Sequence, residues 1–96
     1  MEPDLRPLRA EGLDWCTHDE GGLITDEALG RSWSLNPVGL FIWDHCDGSR
    51  DVAQITRAMR LSFGIDSDTA QTDLSSFLTD MEELGLILLF YPPAAS

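Results

Sequence analysis

The spacing of the apolar residues changes abruptly around Asn36. Within Arg31–Leu35 the bulky Trp33 and Leu35 alternate with small serines, and this period of two is typical of a half-buried β-strand. After Asn36 the apolar positions recur every three or four residues, which is the period of an α-helix. The pattern therefore predicts a strand over residues 31–35 that runs directly into a buried helix over residues 37–46.

The residues that flank this helix suit its two ends. The side-chain oxygen of Asn36 can accept a free backbone N–H of the first turn, and Pro37 fits the first helical position because its missing N–H has no partner there. Asp47 and Gly48 supply the stop, since Gly48 readily adopts the positive φ with which many helices end.

Short strands are predicted on the N-terminal side of this segment. Residues 13–17 alternate and are rich in strand-forming residues, residues 23–25 form a second short strand, and the run Asp-Glu-Gly-Gly at 19–22 is a hairpin-turn signal. Together with residues 31–35 they predict a small antiparallel meander. Residues 1–12 contain two prolines and little apolar content, so we expect a flexible N-terminal arm there.

Helices are predicted on the C-terminal side. A second helix follows a cap at Ser49 or Asp51 and ends at Gly64. A third helix follows a cap at Asp66 or Ser67, covers residues 67–84 and ends at Gly85. Residues 86–91 form a final strand or wing, and residues 92–96 form a tail that begins with two prolines.

The predicted fold class is therefore α+β: a small winged-helix-like domain over residues 13–91, in which a three-stranded antiparallel sheet is followed by three helices. One such sheet cannot bury itself, so the helices must pack on one of its faces. This arrangement leaves at least one sheet edge and one helix flank exposed to solvent.

Composition narrows the possible functions. The net charge is −11 and only six residues are lysine or arginine, which disfavours nucleic acid and favours a basic peptide or protein surface, although the charge is equally explained by solubility. The chain shows no signal peptide and no apolar run long enough for a membrane, and two cysteines are too few for a disulfide scaffold. We therefore expect a cytoplasmic protein with reduced thiols.

Candidate catalytic and metal sites are weak. Four soft ligands lie at Cys16, His18, His45 and Cys46, but their spacing does not suit a zinc knuckle, because His45 and Cys46 project about 100° apart around a helix. The sequence contains no recognisable nucleophile motif and no glycine-rich phosphate loop. We expect neither a metal nor a cofactor, and we expect that the protein is not an enzyme.

A peptide-binding groove is the most concrete functional hypothesis. If residues 31–35 form a sheet edge, their free backbone groups can accept an extended peptide as a new strand, with the third helix as a wall. Phe77 and Met81 would supply apolar contacts, and Asp73 and Asp80 would hold a lysine or arginine of the peptide. The candidate binding residues are Arg31, Ser32, Trp33, Ser34, Leu35, Asp73, Ser76, Phe77, Asp80 and Met81.

Two alternatives remain beside this hypothesis. The sheet edge is simply exposed in one of them. In the other, the domain is a winged-helix scaffold or regulator that binds a protein partner or DNA. DNA is the weaker choice, because the third helix would be the recognition helix and residues 67–84 contain several acids but no lysine or arginine.

Four segments in order carry a resemblance to a known family. They are Trp-Ser-Leu-Asn-Pro-Val-Gly-Leu-Phe-Ile-Trp at 33–43, an Asp-Gly turn and an isoleucine-containing helix at 47–55, Asp-Leu-Ser-Ser-Phe-Leu at 73–78 and Leu-Gly-Leu-Ile at 84–87. This set resembles the PqqD-like proteins over about residues 13–88. The resemblance implies a winged-helix-like chaperone that binds the leader segment of a ribosomally made precursor peptide as an added strand, against residues 31–35 and beside the third helix.

The resemblance also implies partners. Such domains present a precursor peptide to a separate maturation enzyme, which is a radical SAM enzyme in the pyrroloquinoline quinone pathway and a leader peptidase in lasso-peptide pathways. The four segments share features with both types, so the pathway stays open at this point. An exposed edge strand is compatible with a monomer or a dimer.

Overall fold

The structure is a computed structural model that describes residues 1–93. Within these residues the chain forms five strands and three helices. In chain order they are β1 (Arg6–Arg9), β2 (Asp14–His18), β3 (Gly21–Asp26), β4 (Arg31–Leu35), α1 (Pro37–His45), α2 (Val52–Phe63), α3 (Ser67–Glu83) and β5 (Ile87–Phe90).

Strands β2, β3 and β4 form one antiparallel sheet in that order. Ile24 at the centre of β3 lies opposite Trp15 on β2 and Trp33 on β4, so the middle of the sheet is bulky and apolar. The three helices follow the sheet in sequence, which confirms the predicted α+β fold with a three-stranded antiparallel sheet followed by three helices. Because β3 is central, β2 and β4 are the two edges.

The N-terminal segment is more ordered than its composition suggests. Strand β1 pairs with β5 in an antiparallel ribbon, with Arg6 opposite Phe90. The prediction of a flexible arm is therefore wrong for residues 6–9. The physical reason is that the partner strand lies at the other end of the chain, so no local pattern reveals the pairing. The predicted final strand is confirmed as β5, whereas residues 94–96 of the predicted tail lie outside the described residues.

Residues just before β1 complete the start of α2. The backbone N–H of Val52 donates to the carbonyl of Leu5 (2.9 Å), and the N–H of Ala53 donates to the carbonyl of Pro3 (3.0 Å). The first N–H groups of a helix have no partner inside the helix, so these two bonds satisfy donors that would otherwise need water or a side chain. The N-terminal segment is thus attached to both β5 and α2.

The predicted N-terminal caps of the three helices are confirmed, whereas α1 has Cys46 as its C-terminal cap, before the predicted stop at Asp47 and Gly48. The backbone N–H of Gly39 donates to Oδ1 of Asn36 (2.7 Å), and Pro37 occupies the first position of α1. Asp51 caps α2 and forms a capping box with Gln54. Asp66 caps α3 by accepting from the N–H of Thr69 (2.7 Å). Helix α1 ends at His45 and α3 at Glu83, one residue earlier than predicted in each.

Trp43 occupies the centre of the core. Its side chain is fully buried and meets Trp15 edge to face, with the ring centroids 5.7 Å apart. Cζ of Arg9 lies over the ring of Trp15, 4.6 Å from its centroid, and the Arg9 guanidinium donates to the carbonyls of Trp43 (2.9 Å) and Asp44 (3.1 Å). One side chain from β1 therefore joins the sheet to the last turn of α1, where a positive charge is favourable.

Gly21 and Gly22 differ from the predicted hairpin turn. The turn between β2 and β3 consists of Asp19 and Glu20, because His18 pairs with Gly21. Both glycines are buried residues of β3. A Cβ on Gly22 would lie 2.8 Å from Cδ1 of Leu40, so the missing side chain allows α1 to pack closely on β3. The missing side chain of Gly21 likewise allows close approach of the Leu35 backbone at the end of β4.

The hydrogen bonds accepted by Asp66 and Asp47 make the stability of the fold sensitive to pH in the acid range. Hydrogen bonds from the backbone and hydroxyl of Thr69 lower the pKa of Asp66, and bonds from the hydroxyl and backbone of Ser49 lower the pKa of Asp47, in each case from 3.8. A carboxyl whose pKa is lower in the folded state stabilises that state above its unfolded pKa, and this contribution disappears as the pH falls through the folded pKa. We therefore expect the free energy of unfolding to decrease below about pH 3.8.

Urea unfolding followed by circular dichroism across the acid range measures this effect. The matched variant is Asp66→Asn, which keeps an oxygen acceptor for the cap but does not titrate. Its loss of stability on acidification should be shallower than that of the wild type. Parallel curves for the two proteins would show that Asp66 does not contribute.

Candidate functional site

One side of β4 is free. The strand pairs with β3 through five residue pairs, from Gly22 opposite Leu35 to Asp26 opposite Arg31, and no strand in residues 1–93 pairs with its other side. In an antiparallel pair, successive residues point their N–H and C=O groups alternately toward the partner strand and away from it. Strand β4 therefore presents a row of backbone donors and acceptors to solvent.

The side chains of β4 divide between the core and solvent. Leu35 is 5% exposed and Trp33 packs against the core, so both point toward the helices. Ser32 and Ser34 are exposed on the opposite face. Arg31 is exposed and shares the helix side of the strand with Trp33 because strand residues alternate. A ligand on this edge would meet backbone, Arg31 and the walls of the helices rather than Leu35.

A cleft opens where β4 ends. It encloses about 320 Å³ between α1 and α3. Asn36 links the two parts of the site, because it directly follows β4, caps α1 and lines the cleft. The remaining lining residues are Val38, Gly39 and Ile42 from α1, and Asp73, Ser76, Phe77 and Asp80 from α3.

Gly39 sets the distance between the two walls. A Cβ at this position would lie 3.2 Å from Cε2 of Phe77 and 3.2 Å from Oδ1 of Asn36, which is closer than ordinary van der Waals contact. The absence of a side chain therefore allows the half-buried ring of Phe77 to lie against α1. That ring forms an apolar surface inside the cleft, close to Asn36, the residue that follows the edge strand.

The α3 wall of the cleft is negatively charged. Asp73 and Asp80 are exposed and lie two helical turns apart, with Ser76 and Phe77 between them on the same face of the helix. Within residues 1–93 the ion pair that forms joins Arg50 to Asp47 at 3.1 Å, so neither carboxylate of the cleft has a cationic partner in this part of the chain. The cleft therefore combines two carboxylates, a hydroxyl and an aromatic ring.

The structure brings together part of the set of predicted binding residues. Asp73, Ser76, Phe77 and Asp80 line the cleft, and residues 31–35 form the adjoining edge strand. Met81 does not line the cleft, since it is half-buried against the core on the next turn of α3.

The α1 wall of the cleft is not apparent from the sequence. Periodicity and capping preferences place Asn36, Val38, Gly39 and Ile42 only at the cap and on the buried face of the first helix. The available signal is Gly39, because a glycine in the first turn of a helix that otherwise carries bulky residues indicates close approach by another element.

The cysteine and histidine residues are dispersed. Cys46 is buried and its thiol donates to the carbonyl of Ile42 (3.0 Å), and burial raises its pKa to about 12. Nδ1 of His45 lies 2.7 Å from the carbonyl of Phe41, while Cys16 lies on the exposed edge strand β2. In residues 1–93 no three of the histidine, cysteine, aspartate and glutamate side chains are grouped so that they would hold a metal ion. None of the helices described is both long enough and apolar enough to span a bilayer.

Three solved structures share this fold at low sequence identity. The lasso peptide synthetase B1 complexed with the leader peptide has a TM-score of 0.73 and 19% identity, covering 88% of this chain and 98% of its own. TbiB1 in complex with the TbiA(beta) leader peptide has a TM-score of 0.74 and 19% identity, covering 93% and 99%. The PqqD truncation of Methylobacterium extorquens PqqCD, described as a stand-alone recognition element for ribosomally synthesised and post-translationally modified peptides, has a TM-score of 0.71 and 16% identity, covering 92% and 99%.

Sequence comparison identifies the family. No curated protein matches the chain significantly. The sequence model described as coenzyme PQQ synthesis protein D (PqqD) matches residues 18–87, which include the three-stranded sheet from the end of β2, all three helices and the first residue of β5. The match covers most of the sequence, and the chain therefore belongs to the PqqD family.

Proposed function

We propose that this protein recognises the leader segment of a ribosomally made precursor peptide. The leader adds to the sheet as a strand along β4, and one of its side chains enters the cleft between α1 and α3. The protein itself is not catalytic and needs no cofactor. It holds the precursor for a separate maturation enzyme.

The observation that carries this proposal is the continuity of the free edge of β4 with the cleft. The unpaired backbone groups of an edge strand favour any extended segment, and an adjoining pocket supplies selectivity for a side chain. Each added backbone hydrogen bond contributes about 1 kcal/mol net. Four or five such bonds with one or two apolar anchors, one of them on Phe77, would reach micromolar affinity, about 8 kcal/mol in total.

The similar structures support a role in leader recognition. Two of the similar structures are complexes with a leader peptide, and the third is described as a functional recognition element for modified peptides. The family description also names the synthesis of coenzyme PQQ. These features favour a role in peptide maturation over the alternative of a general scaffold.

The maturation enzyme is the second proposed partner. The family resemblance suggests a radical SAM enzyme of the quinone type or a leader peptidase of the lasso type, acting in the cytoplasm. In either pathway the enzyme would act on the precursor, at its core segment or at the junction between leader and core, while the leader stays on β4. The proposal therefore predicts that the recognition protein, the precursor and the enzyme form a ternary complex.

DNA binding is the less favoured alternative for this fold. In that function α3 would lie against phosphates, yet α3 contains no lysine or arginine and carries the five acids Asp68, Asp73, Asp80, Glu82 and Glu83. Such a surface repels a polyanion, since affinity for DNA depends on the neutralisation of phosphates by cationic side chains.

A titration of the ¹⁵N-labelled protein tests the proposal. The probes are synthetic leader peptides taken from small open reading frames encoded beside this gene. We expect saturable shifts of the amide signals of β4 and of the cleft residues of α3, together with slower hydrogen exchange at alternate amides of β4, because alternate residues face the free edge. Strand β2 is the internal control, since it is the other edge of the same sheet.

Methylated peptides separate strand addition from simple contact. Two versions of a binding peptide carry N-methyl groups on alternate residues, so that each version lacks one of the two sets of N–H groups. One version should bind about fivefold more weakly for each bond lost, and the other should bind almost normally. Equal effects of the two versions, or shifts that map to β2 instead of β4, would remove β4 from the site.

A further inference from the structure

The geometry points to a charge pattern in the leader peptide. We propose that the leader carries a lysine or arginine that enters the cleft between α1 and α3, followed about four to six positions later by an aspartate or glutamate that faces Arg31. This inference rests on the proposed leader recognition at β4. It specifies which charged residues the leader carries and in which direction the leader runs along β4.

The cleft end of the site suits a basic side chain. Asp73 and Asp80 both line the cleft, neither has a cationic partner in residues 1–93, and Phe77 lies between them on the helix face. The aliphatic stem of a lysine or arginine can pack on an aromatic ring while its charged end reaches a carboxylate. An acidic side chain in the same place would meet two like charges.

The other end of β4 has the opposite charge. Arg31 begins the strand, is exposed, and lies on the helix side of the sheet. Its register partner on β3 is Asp26, but the two side chains do not form an ion pair. Arg31 and Leu35 are four positions apart in an extended strand, which is about 13 Å at 3.3 Å per residue. The site formed by the free edge of β4 and the adjoining cleft therefore has a positive end at Arg31 and a negative end at the cleft. A short extended peptide spans the distance between them.

The direction of the added strand follows from β4. Strand β3 already pairs with β4 in the antiparallel sense, and antiparallel pairs outnumber parallel pairs two- to three-fold in proteins. An added antiparallel strand begins opposite Leu35, beside the cleft, and ends opposite Arg31. The basic residue of the leader therefore precedes the acidic one.

Non-specific electrostatic attraction between the protein and a basic peptide must be distinguished from selection of this charge pattern. A net charge of −11 attracts any basic peptide at low ionic strength, wherever the peptide binds. The inference is that the two charges are selected at a fixed spacing and in a fixed order. The experiment must therefore compare peptides of equal net charge and variants of equal charge change.

Display of random twelve-residue peptides against the wild-type protein tests the pattern directly. We expect the enriched peptides that shift the amide signals of β4 to carry a basic residue four to six positions before an acidic one. Synthetic peptides of an enriched sequence with the two charges exchanged keep the same net charge, and we expect them to bind about threefold to tenfold more weakly. This difference should shrink as salt is added.

Variants of α3 locate the negative end. The double variant Asp73→Asn/Asp80→Asn should lose the preference for the basic residue. The matched control is Glu82→Gln/Glu83→Gln, which changes the net charge by the same amount on the same helix but outside the cleft, and it should keep the preference. Arg31→Gln should lose only the preference for the acidic residue.

The outcomes distinguish this inference from the proposed function. Enriched peptides that bind at β4 without the charge pattern, or equal loss of preference in both double variants, would overturn the inference and leave leader recognition intact. Peptides that bind only away from β4, or a library from which none is enriched, would overturn both.

Discussion

The variant Gly21→Ala is expected to lower the free energy of unfolding by about 3 kcal/mol or more, because strain at a special backbone position is among the most costly substitutions. A Cβ on Gly21 would lie 1.8 Å from the carbonyl oxygen of Leu35 and 2.9 Å from its carbonyl carbon. These are backbone atoms, so no side-chain rotation relieves the overlap. Gly21 also has a φ of +138°, a backbone conformation that residues with a side chain rarely adopt. Urea unfolding monitored by circular dichroism measures the change.

Gly30 provides the matched control. It has a φ of +64°, but a Cβ there would have no neighbour within 4 Å. Gly30→Ala should therefore cost only the backbone penalty, about 1–2 kcal/mol. Similar losses for Gly21→Ala and Gly30→Ala would mean that the approach of Gly21 to Leu35 is not a constraint on the fold. A much larger loss of stability for Gly21→Ala would show that the end of β4, the proposed peptide-binding strand, can take its place only because Gly21 has no side chain.

The variant Trp43→Ala is expected to have the second large effect. Trp43 is fully buried, is contacted by Trp15 and accepts a hydrogen bond at its carbonyl from Arg9. Removing a buried tryptophan side chain typically costs about 3–5 kcal/mol, because the apolar burial is lost and a cavity remains. The same unfolding measurement should show a transition at a much lower urea concentration.

The variant Trp43→Phe separates packing from polarity at this position. Nε1 of Trp43 is buried and has no hydrogen-bond partner in residues 1–93. A buried donor without a partner costs about 1–3 kcal/mol, and phenylalanine removes that donor while keeping an aromatic ring. We therefore expect Trp43→Phe to be at least about 2 kcal/mol more stable than Trp43→Ala. Equal stabilities of Trp43→Phe and Trp43→Ala would indicate that the core needs the full volume of the indole and that a smaller aromatic ring does not restore the packing.

Elements with local signals were predictable from the sequence. The transition from β4 to α1 is encoded within a few residues, because Asn36 and Pro37 favour a helix start whatever the rest of the chain does. The same holds for the caps at Asp51 and Asp66. Strand β1 had no such signal. Its sequence is Arg-Pro-Leu-Arg, and only pairing with β5 at the other end of the chain makes it a strand.

The candidate site was half predictable for a related reason. Helix α3 is amphipathic, so the spacing of its residues already places Asp73, Phe77 and Asp80 on one face. Helix α1 is apolar on most of its circumference, and periodicity cannot tell which of its sides faces the core and which faces a cleft. That choice depends on how Gly39 and Phe77 meet, which is a property of the packed structure.

The burial of Cys46 has a practical consequence for experiments on this protein. A thiol must ionise to react, and a pKa of about 12 keeps Cys46 protonated at neutral pH, shielded inside the core. The other cysteine, Cys16, is exposed on β2. A maleimide dye or spin label should therefore attach at a single position in the unmodified protein, on the sheet edge that the leader is not expected to occupy. Distances from that label to a second label on a peptide would report where and in which direction the peptide lies, without any engineered cysteine.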